Sequence, residues 1–179
     1  PSRETVEVLE FLGAVERAKQ LTEASDIIPL IRQHRLAREH IPTPLLNSRV
    51  VWEELLHTMP LTAMIRNLSK MTAIGLLAPG TEAAGEIAGK LSDPDLLRRA
   101  KLHPLTTLLA LTQYTAGRGD KGSLTWDPVP EVVAALDEAF YLAFRMVEPT
   151  GQRVVIGLDV SGSMGCRMGG SILTAREAA

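Results

Sequence analysis

Apolar residues recur at intervals of three and four along the first 148 residues, which is the spacing of one face of an α-helix. Between residues 4 and 23 the apolar positions of one predicted helix are Val8, Leu9, Leu12, Val15, Ala18 and Leu21. Prolines and glycines interrupt the pattern repeatedly, as they do where one helix ends and the next begins. The sequence therefore predicts a series of helices with short connections, stacked in pairs to bury their apolar faces.

The later predicted helices begin near Ser25, Ser48, Pro60, Thr81, Asp93, Pro104 and Glu131. Residues 56–62 resemble residues 102–106, and Pro60 and Pro104 are 44 residues apart. This period is typical of HEAT-type repeats, whose units bury their apolar faces only against neighbouring units. We therefore expect HEAT-like helical pairs.

The pattern changes after residue 148. Residues 154–158 form an unbroken, mostly β-branched apolar run, which is typical of a strand buried on both faces of a parallel sheet. A polar loop follows, and then a predicted helix with Ser171 near its N-cap. We therefore expect a mostly α fold with two parts: a helical part in residues 1–148, and in residues 149–179 the first strand, loop and helix start of an α/β domain.

Asp159, Ser161 and Ser163 directly follow the predicted strand. One carboxylate and two hydroxyls in a tight turn are oxygen ligands that suit Mg²⁺, which keeps several waters and takes one or two carboxylates. The alternative is a polar turn, because Asp and Ser are ordinary turn residues. Between a strand and a helix, however, the spacing resembles the metal-ion-dependent adhesion site of a von Willebrand factor A domain.

That resemblance implies two further ligands, a Thr and an Asp, from later loops of the A domain. Twenty residues follow Asp159, which are too few for a complete α/β domain. We therefore expect the metal site to be incomplete here, and the chain to be part of a longer protein.

Four stretches, residues 52–72, 100–104, 136–141 and 147–161, resemble the Ro autoantigen family, whose ring is built from the TROVE module. The resemblance implies a ring of HEAT-like helices followed by a von Willebrand factor A domain. This chain would cover the later part of the ring and the start of the A domain.

The same resemblance implies a non-catalytic RNA-binding protein that acts in RNA quality control. Its expected ligands are small structured (Y-like) RNAs on the outside of the ring and single-stranded 3′ ends of misfolded RNAs in the central hole. A nuclease or another protein is an expected partner of the A domain. The alternative is a protein-binding scaffold whose metal site captures a carboxylate of its partner.

Basic residues cluster at a few places, and phosphate contacts would require such clusters. The candidate RNA-binding residues are Arg66, Lys70, Arg98, Arg99, Lys101, His103, Arg118 and Lys121. Arg32, Arg35 and Arg38 form a further group at intervals of three. A solvated helix face would show the same charges, and His103, beside a proline that begins a helix, fits a capping role.

Composition bears on the possible partners of the protein, on its compartment and on whether it is an enzyme. A net charge of −2 neither favours nor excludes a polyanion partner, and 4% aromatic residues leave the packing to aliphatic side chains. The single cysteine, Cys166, excludes an internal disulfide framework and fits a reducing, cytoplasmic setting. No membrane-length apolar run and no nucleophile–base pair is discernible, so we expect neither a membrane partner nor an enzyme. Trp52 fits the core, whereas Trp126 could be a stacking surface for bases.

Overall fold

The chain folds into helices joined by short loops, as seen in a computed structural model that describes residues 3–119, 122–157, 159, 161–167 and 173–178. The helices are α1 (Arg3–Ala18), α2 (Ala24–His34), α3 (Arg49–Thr58), α4 (Leu61–Ala73), α5 (Glu82–Leu91), α6 (Pro94–Arg99), α7 (Pro104–Thr115), α8 (Pro130–Phe144) and α9 (Ala175–Ala178). Short 3₁₀ turns lie at Arg38–His40, Thr43–Asn47 and Gly162–Gly165. The prediction of a mostly helical fold is confirmed.

The starts of three helices are fixed by side chains that accept a backbone N–H from the first turn. Thr81 accepts from Ala84 at α5, Asp93 accepts from Asp95 and Leu96 at α6, and His103 accepts from Leu105 at α7. Each cap satisfies a donor that the helix itself leaves unpaired. Because these caps depend on local sequence, the predicted starts of α5, α6 and α7 lie within a residue of the observed ones.

The core runs through all the helices from α1 to α8 and consists mainly of Leu, Ile, Val, Ala and Met. Trp52 is fully buried, and its indole N–H donates to the carbonyl of Leu46 at 2.8 Å. This bond avoids the cost of burying an unpaired indole N–H. The prediction that Trp52 is a core residue is therefore confirmed.

Helix α8 packs against α5, α6 and α7. Its buried face carries Ala135, Ala139 and Ala143, which recur every four residues and so lie on one side of the helix. Small side chains at these positions let neighbouring helices approach closely. None of the described helices combines the length and the hydropathy needed to cross a lipid bilayer.

Helix α1 buries only part of the apolar face that the periodicity indicates. Ala14 and Ala18 are fully buried, but Val8, Leu9 and Leu12 are each more than half exposed. Only α2 makes substantial contact with α1 among the described elements, so one narrow stripe of α1 is covered. The apolar period located the helix and the later part of its buried side, where Val15, and Leu21 just after the helix, pack against the core, but its first half is exposed.

The predicted buried strand is not formed in the described part of the chain. Residues 153–157 have no regular secondary structure, and Val155 is 99% exposed. Isolated bridges join Arg118 to Thr125 and Arg167 to Thr174, but the described residues contain no sheet. A strand needs neighbouring strands to pair its backbone groups, and no described segment pairs with this one.

The other elements expected after residue 148 are only partly covered. Leu158 and Ser171 lie outside the described residues, and the predicted helix is seen as the single turn α9. The described residues therefore contain no strand that would support the start of an A domain. The domain boundary at residue 148 stays a prediction.

Candidate functional site

Helix α4 presents an apolar face to the core and a polar face to solvent. Leu61, Met64, Ile65, Leu68 and Met71 are buried and recur with the helical period. Arg66, Asn67 and Lys70 therefore lie on the opposite side, and Arg66 and Lys70 are four residues apart and so neighbours on the helix surface. This polar face of α4 forms one wall of a groove.

The groove, which we call the α4 groove, has a volume of about 710 Å³. The side chains in it that carry charge or amide groups are Arg38, Glu39, Asn47, Arg66, Asn67, Lys70 and Gln113. They come from the 3₁₀ turns before α3, from α4 and from α7. Residues that are far apart in sequence thus form one surface with three cations, one carboxylate and three amides.

The cations in the α4 groove are available to an anionic ligand. Arg66 is exposed and has no ion-pair partner among the described residues. The ammonium of Lys70 donates to the side-chain oxygen of Asn47 at 2.8 Å, which orients it without neutralising its charge. Arg38 lies 3.9 Å from Glu39, at the limit of an ion pair, and both side chains are well exposed. The groove can therefore attract phosphates.

A second groove of about 440 Å³ continues from the first, because Gln113, Gly119 and Leu124 line both. Arg118 lies in this second groove, on the loop after α7. The structure therefore brings Arg118 towards Arg66 and Lys70, as a shared basic surface requires. Lys121, the other candidate on this loop, lies outside the described residues.

The loop carrying Arg118 is held to the core by aromatic residues. Trp126 stacks on Tyr114 with ring centroids 6.3 Å apart, and its indole N–H donates to the Tyr114 carbonyl at 2.8 Å. Trp126 is only 7% exposed, so it anchors the loop and offers almost no free ring face for a base. At Gly117 the backbone has φ +67°, and an added Cβ would lie 3.0 Å from the Trp126 carbonyl oxygen, so the turn requires glycine.

The candidates near the end of α6 lie apart from both grooves. Arg98 forms an ion pair with Asp95 on the same helix, and Lys101 adopts a left-handed backbone at φ 50° after the helix ends. The Nδ1 atom of His103 accepts the Leu105 N–H at 3.1 Å, so this histidine caps α7. Arg99 is exposed. None of these four residues lines either groove.

The arginines at positions 32, 35 and 38 have separate roles. Arg32 forms a two-point salt bridge with Glu54, at 3.1 and 2.6 Å, which links α2 to α3. Arg35 ends α2 in a left-handed conformation, and only Arg38 reaches the α4 groove. Sequence reasoning noted this triplet but did not assign Arg38 to the site. It missed Asn47 and Gln113 entirely, because isolated amides carry no periodic or charge signal.

The structure brings the proposed metal ligands together. The Ser161 N–H donates to Asp159 Oδ1 at 2.9 Å, and the hydroxyls of Ser161 and Ser163 are 2.8 Å apart. The hydrogen bonds from Ser161 hold the pKa of Asp159 below its ordinary value. The Asp159 carboxylate and the hydroxyls of Ser161 and Ser163 are hard oxygen donors on one turn, and Mg²⁺ prefers ligands of this type. Among the described residues, no group of three or more His, Cys, Asp or Glu side chains is placed to bind a metal.

Comparisons with known proteins give a consistent result. Residues 5–113 match the model of the TROVE domain. The chain is 46% identical over 172 residues to the RNA-binding protein RO60 of Caenorhabditis elegans, an alignment that covers 96% of the chain and 26% of that protein. It is 41% identical over 155 residues to the RNA-binding protein RO60 of Deinococcus radiodurans, covering 86% of the chain and 29% of that protein.

The fold comparison agrees. The crystal structure of the Deinococcus radiodurans RO (RSR) protein superposes with a TM-score of 0.82 at 36% identity, covering 93% of this chain and 33% of that one. The chain thus spans between a quarter and a third of the length of these relatives.

Proposed function

The chain belongs to the TROVE-domain family, and from that premise we propose that it binds RNA through the α4 groove. Its relatives in two distant organisms are named RNA-binding proteins. The observation that carries the proposal is the convergence of Arg38, Arg66 and Lys70 in one groove, with Arg118 in the groove that adjoins it. A run of exposed cations beside amide side chains suits a phosphate backbone whose bases stay accessible.

The finer function that we propose follows the resemblance to the Ro family. The RNA ligands would be small structured (Y-like) RNAs and single-stranded 3′ ends of misfolded RNAs. Binding without catalysis would serve RNA quality control in the cytoplasm. The basic residues at the end of α6 would be a secondary RNA contact, since they lie outside both grooves.

The first test is a titration of the purified chain with a small structured RNA that has a free single-stranded 3′ end, at two salt concentrations. Each phosphate contact contributes about 0.7 to 0.9 to the slope of log affinity against log salt. We expect steep weakening as salt rises, and no change on adding EDTA. Absence of binding at low salt would rule the proposal out.

A matched pair of variants locates the site. Replacing Arg66 and Lys70 with alanine removes two positive charges from the α4 groove, so the slope of log affinity against log salt should become shallower by about 1.4. Replacing Arg98 and Arg99 with alanine removes the same amount of charge at the end of α6. This variant should keep most of the salt dependence of RNA binding. Equal losses in both variants would contradict a binding site centred on the groove.

A second candidate function is favoured by the loop at Asp159, Ser161 and Ser163, whose oxygens lie together on one turn. We propose that these residues hold Mg²⁺, which would bind a carboxylate of a protein partner such as a nuclease. The test is calorimetry with Mg²⁺ on the chain and on an Asp159→Ala variant. Equal heats from both would contradict the metal site.

A further inference from the structure

A small apolar recess opens beside the α4 groove. It has a volume of about 200 Å³, below the roughly 300 to 1,000 Å³ of pockets that hold drug-sized ligands. Leu36 and Leu55 are buried and Met59 is half-buried in its walls. Apolar walls of this size suit one flat ring.

The recess and the groove share a polar border. Arg38, Glu39, Ala63 and Asn67 line both spaces. A polymer lying along the groove could therefore place one unit in the recess without leaving the groove. For a single-stranded nucleic acid, that unit would be an unstacked base.

Asn67 presents an acceptor at this border. Its Nδ2 donates to the Ala63 carbonyl at 2.8 Å, which fixes the amide and leaves Oδ1 free to accept. The carboxylate of Glu39 lies 3.9 Å from Arg38, and its negative charge directs phosphates away, towards Arg66 and Lys70. A base there meets the Asn67 acceptor beside the guanidinium donors of Arg35 and Arg38, which also line the recess. A base that donates from an exocyclic amino group and accepts at a ring nitrogen therefore suits the position.

We infer that the recess receives one unstacked, amino-bearing base of a single-stranded RNA, and that Asn67 is a specificity-determining residue. The inference rests on the proposed RNA binding and adds a base preference to it. Cytosine offers an N4 amino donor where uracil, like thymine, offers an O4 acceptor. The two rings have the same size but also differ at N3, which accepts in cytosine and carries a hydrogen in uracil. The loss of the difference on changing Asn67 therefore assigns it to this contact.

The test measures binding of fluorescent single-stranded oligocytidine and oligouridine of equal length to the intact chain at low salt. We expect the cytidine strand to bind about tenfold more tightly, as one good base contact allows. An Asn67→Ala variant should bind both strands equally, at the affinity that the unchanged chain has for oligouridine. An Asn67→Asp variant, which keeps an acceptor at this position, should keep the cytidine preference while binding both strands more weakly.

The Arg66→Ala variant is the control, since loss of a phosphate contact should weaken both strands by the same factor. Circular dichroism of each variant checks that the helices are intact. Equal binding of the two strands by the unchanged chain, or a preference that survives Asn67→Ala, would overturn the inference and leave RNA binding standing. Failure of both strands to bind would instead remove the proposed function on which the inference depends.

Discussion

Tyr114 joins three parts of the chain through one hydroxyl group. Its oxygen lies 2.8 Å from the Thr72 hydroxyl on α4, and it accepts the Val129 N–H at 3.2 Å just before α8. Burial raises the pKa of this phenol above its ordinary value, because the charged form would lose its hydration. The two grooves are lined by elements that this residue connects, so their relative position depends on it.

We predict that Tyr114→Phe lowers the free energy of unfolding by about 1–2 kcal/mol, because the buried Val129 N–H loses its acceptor. Urea denaturation measures the change. Tyr141 is 65% exposed, so Tyr141→Phe is the matched control and should change little.

The difference between the Tyr114→Phe variant and the unchanged chain should also shrink at high pH. The folded-state pKa is raised, so the stabilisation is complete below the unfolded value near 10 and is lost as pH rises through the folded one. A difference that does not depend on pH would contradict this account of Tyr114.

Helices α2 and α3 are held together by an apolar contact and by the salt bridge between Arg32 and Glu54. The Glu54 side chain is only 11% exposed, whereas Arg32 is 72% exposed. The hydrogen bonds from Arg32 hold the pKa of Glu54 below its ordinary value. Because one partner is well exposed, water screens the pair and its contribution is modest.

We predict that Glu54→Gln lowers the free energy of unfolding by about 0.2–1 kcal/mol at neutral pH. The folded-state pKa of Glu54 is lowered, so this stabilisation is present above the ordinary value near 4.5 and is lost as pH falls through the folded value. The stabilities of the two proteins should therefore converge in acid. The exposed neighbour Glu53 is the control, and a Glu53→Gln change of equal size would argue against a specific pair.

In the molecule as a whole, apolar residues that fit a helical period are buried on some helices and exposed on others. Leu55 on α3 is 2% exposed, whereas Leu12 on α1 is 52% exposed, although both fit a helical apolar period. The cost of the same substitution at the two positions therefore shows which of the two side chains is buried.

We predict that Leu55→Ala costs about 2–5 kcal/mol in the free energy of unfolding, the range for a large-to-small change in a core. Leu12→Ala should cost less than about 0.5 kcal/mol, as at other surface positions. Urea denaturation of both variants checks the pair. A large cost at Leu12 would show that α1 buries the face that the periodicity predicted.

The helices of this protein could be located from local sequence. Helix starts depend on caps such as Thr81 and Asp93, which contact backbone groups two or three residues away, so they could be located without the fold. The helical period also placed Arg66 and Lys70 together, since four residues make about one turn. The capping alternative for His103 followed from its neighbour Pro104 in the same way.

Which residues share a surface depends on how the helices pack, and this could not be predicted from the sequence. Arg38, Asn47 and Gln113 join the α4 groove because three separate elements pack side by side, and local sequence does not encode that contact. Likewise, the exposure of Leu12 depends on what lies against α1. The apolar run of residues 154–158 shows the same dependence, since strand-forming side chains make a strand only where a neighbouring strand takes up their backbone hydrogen bonds.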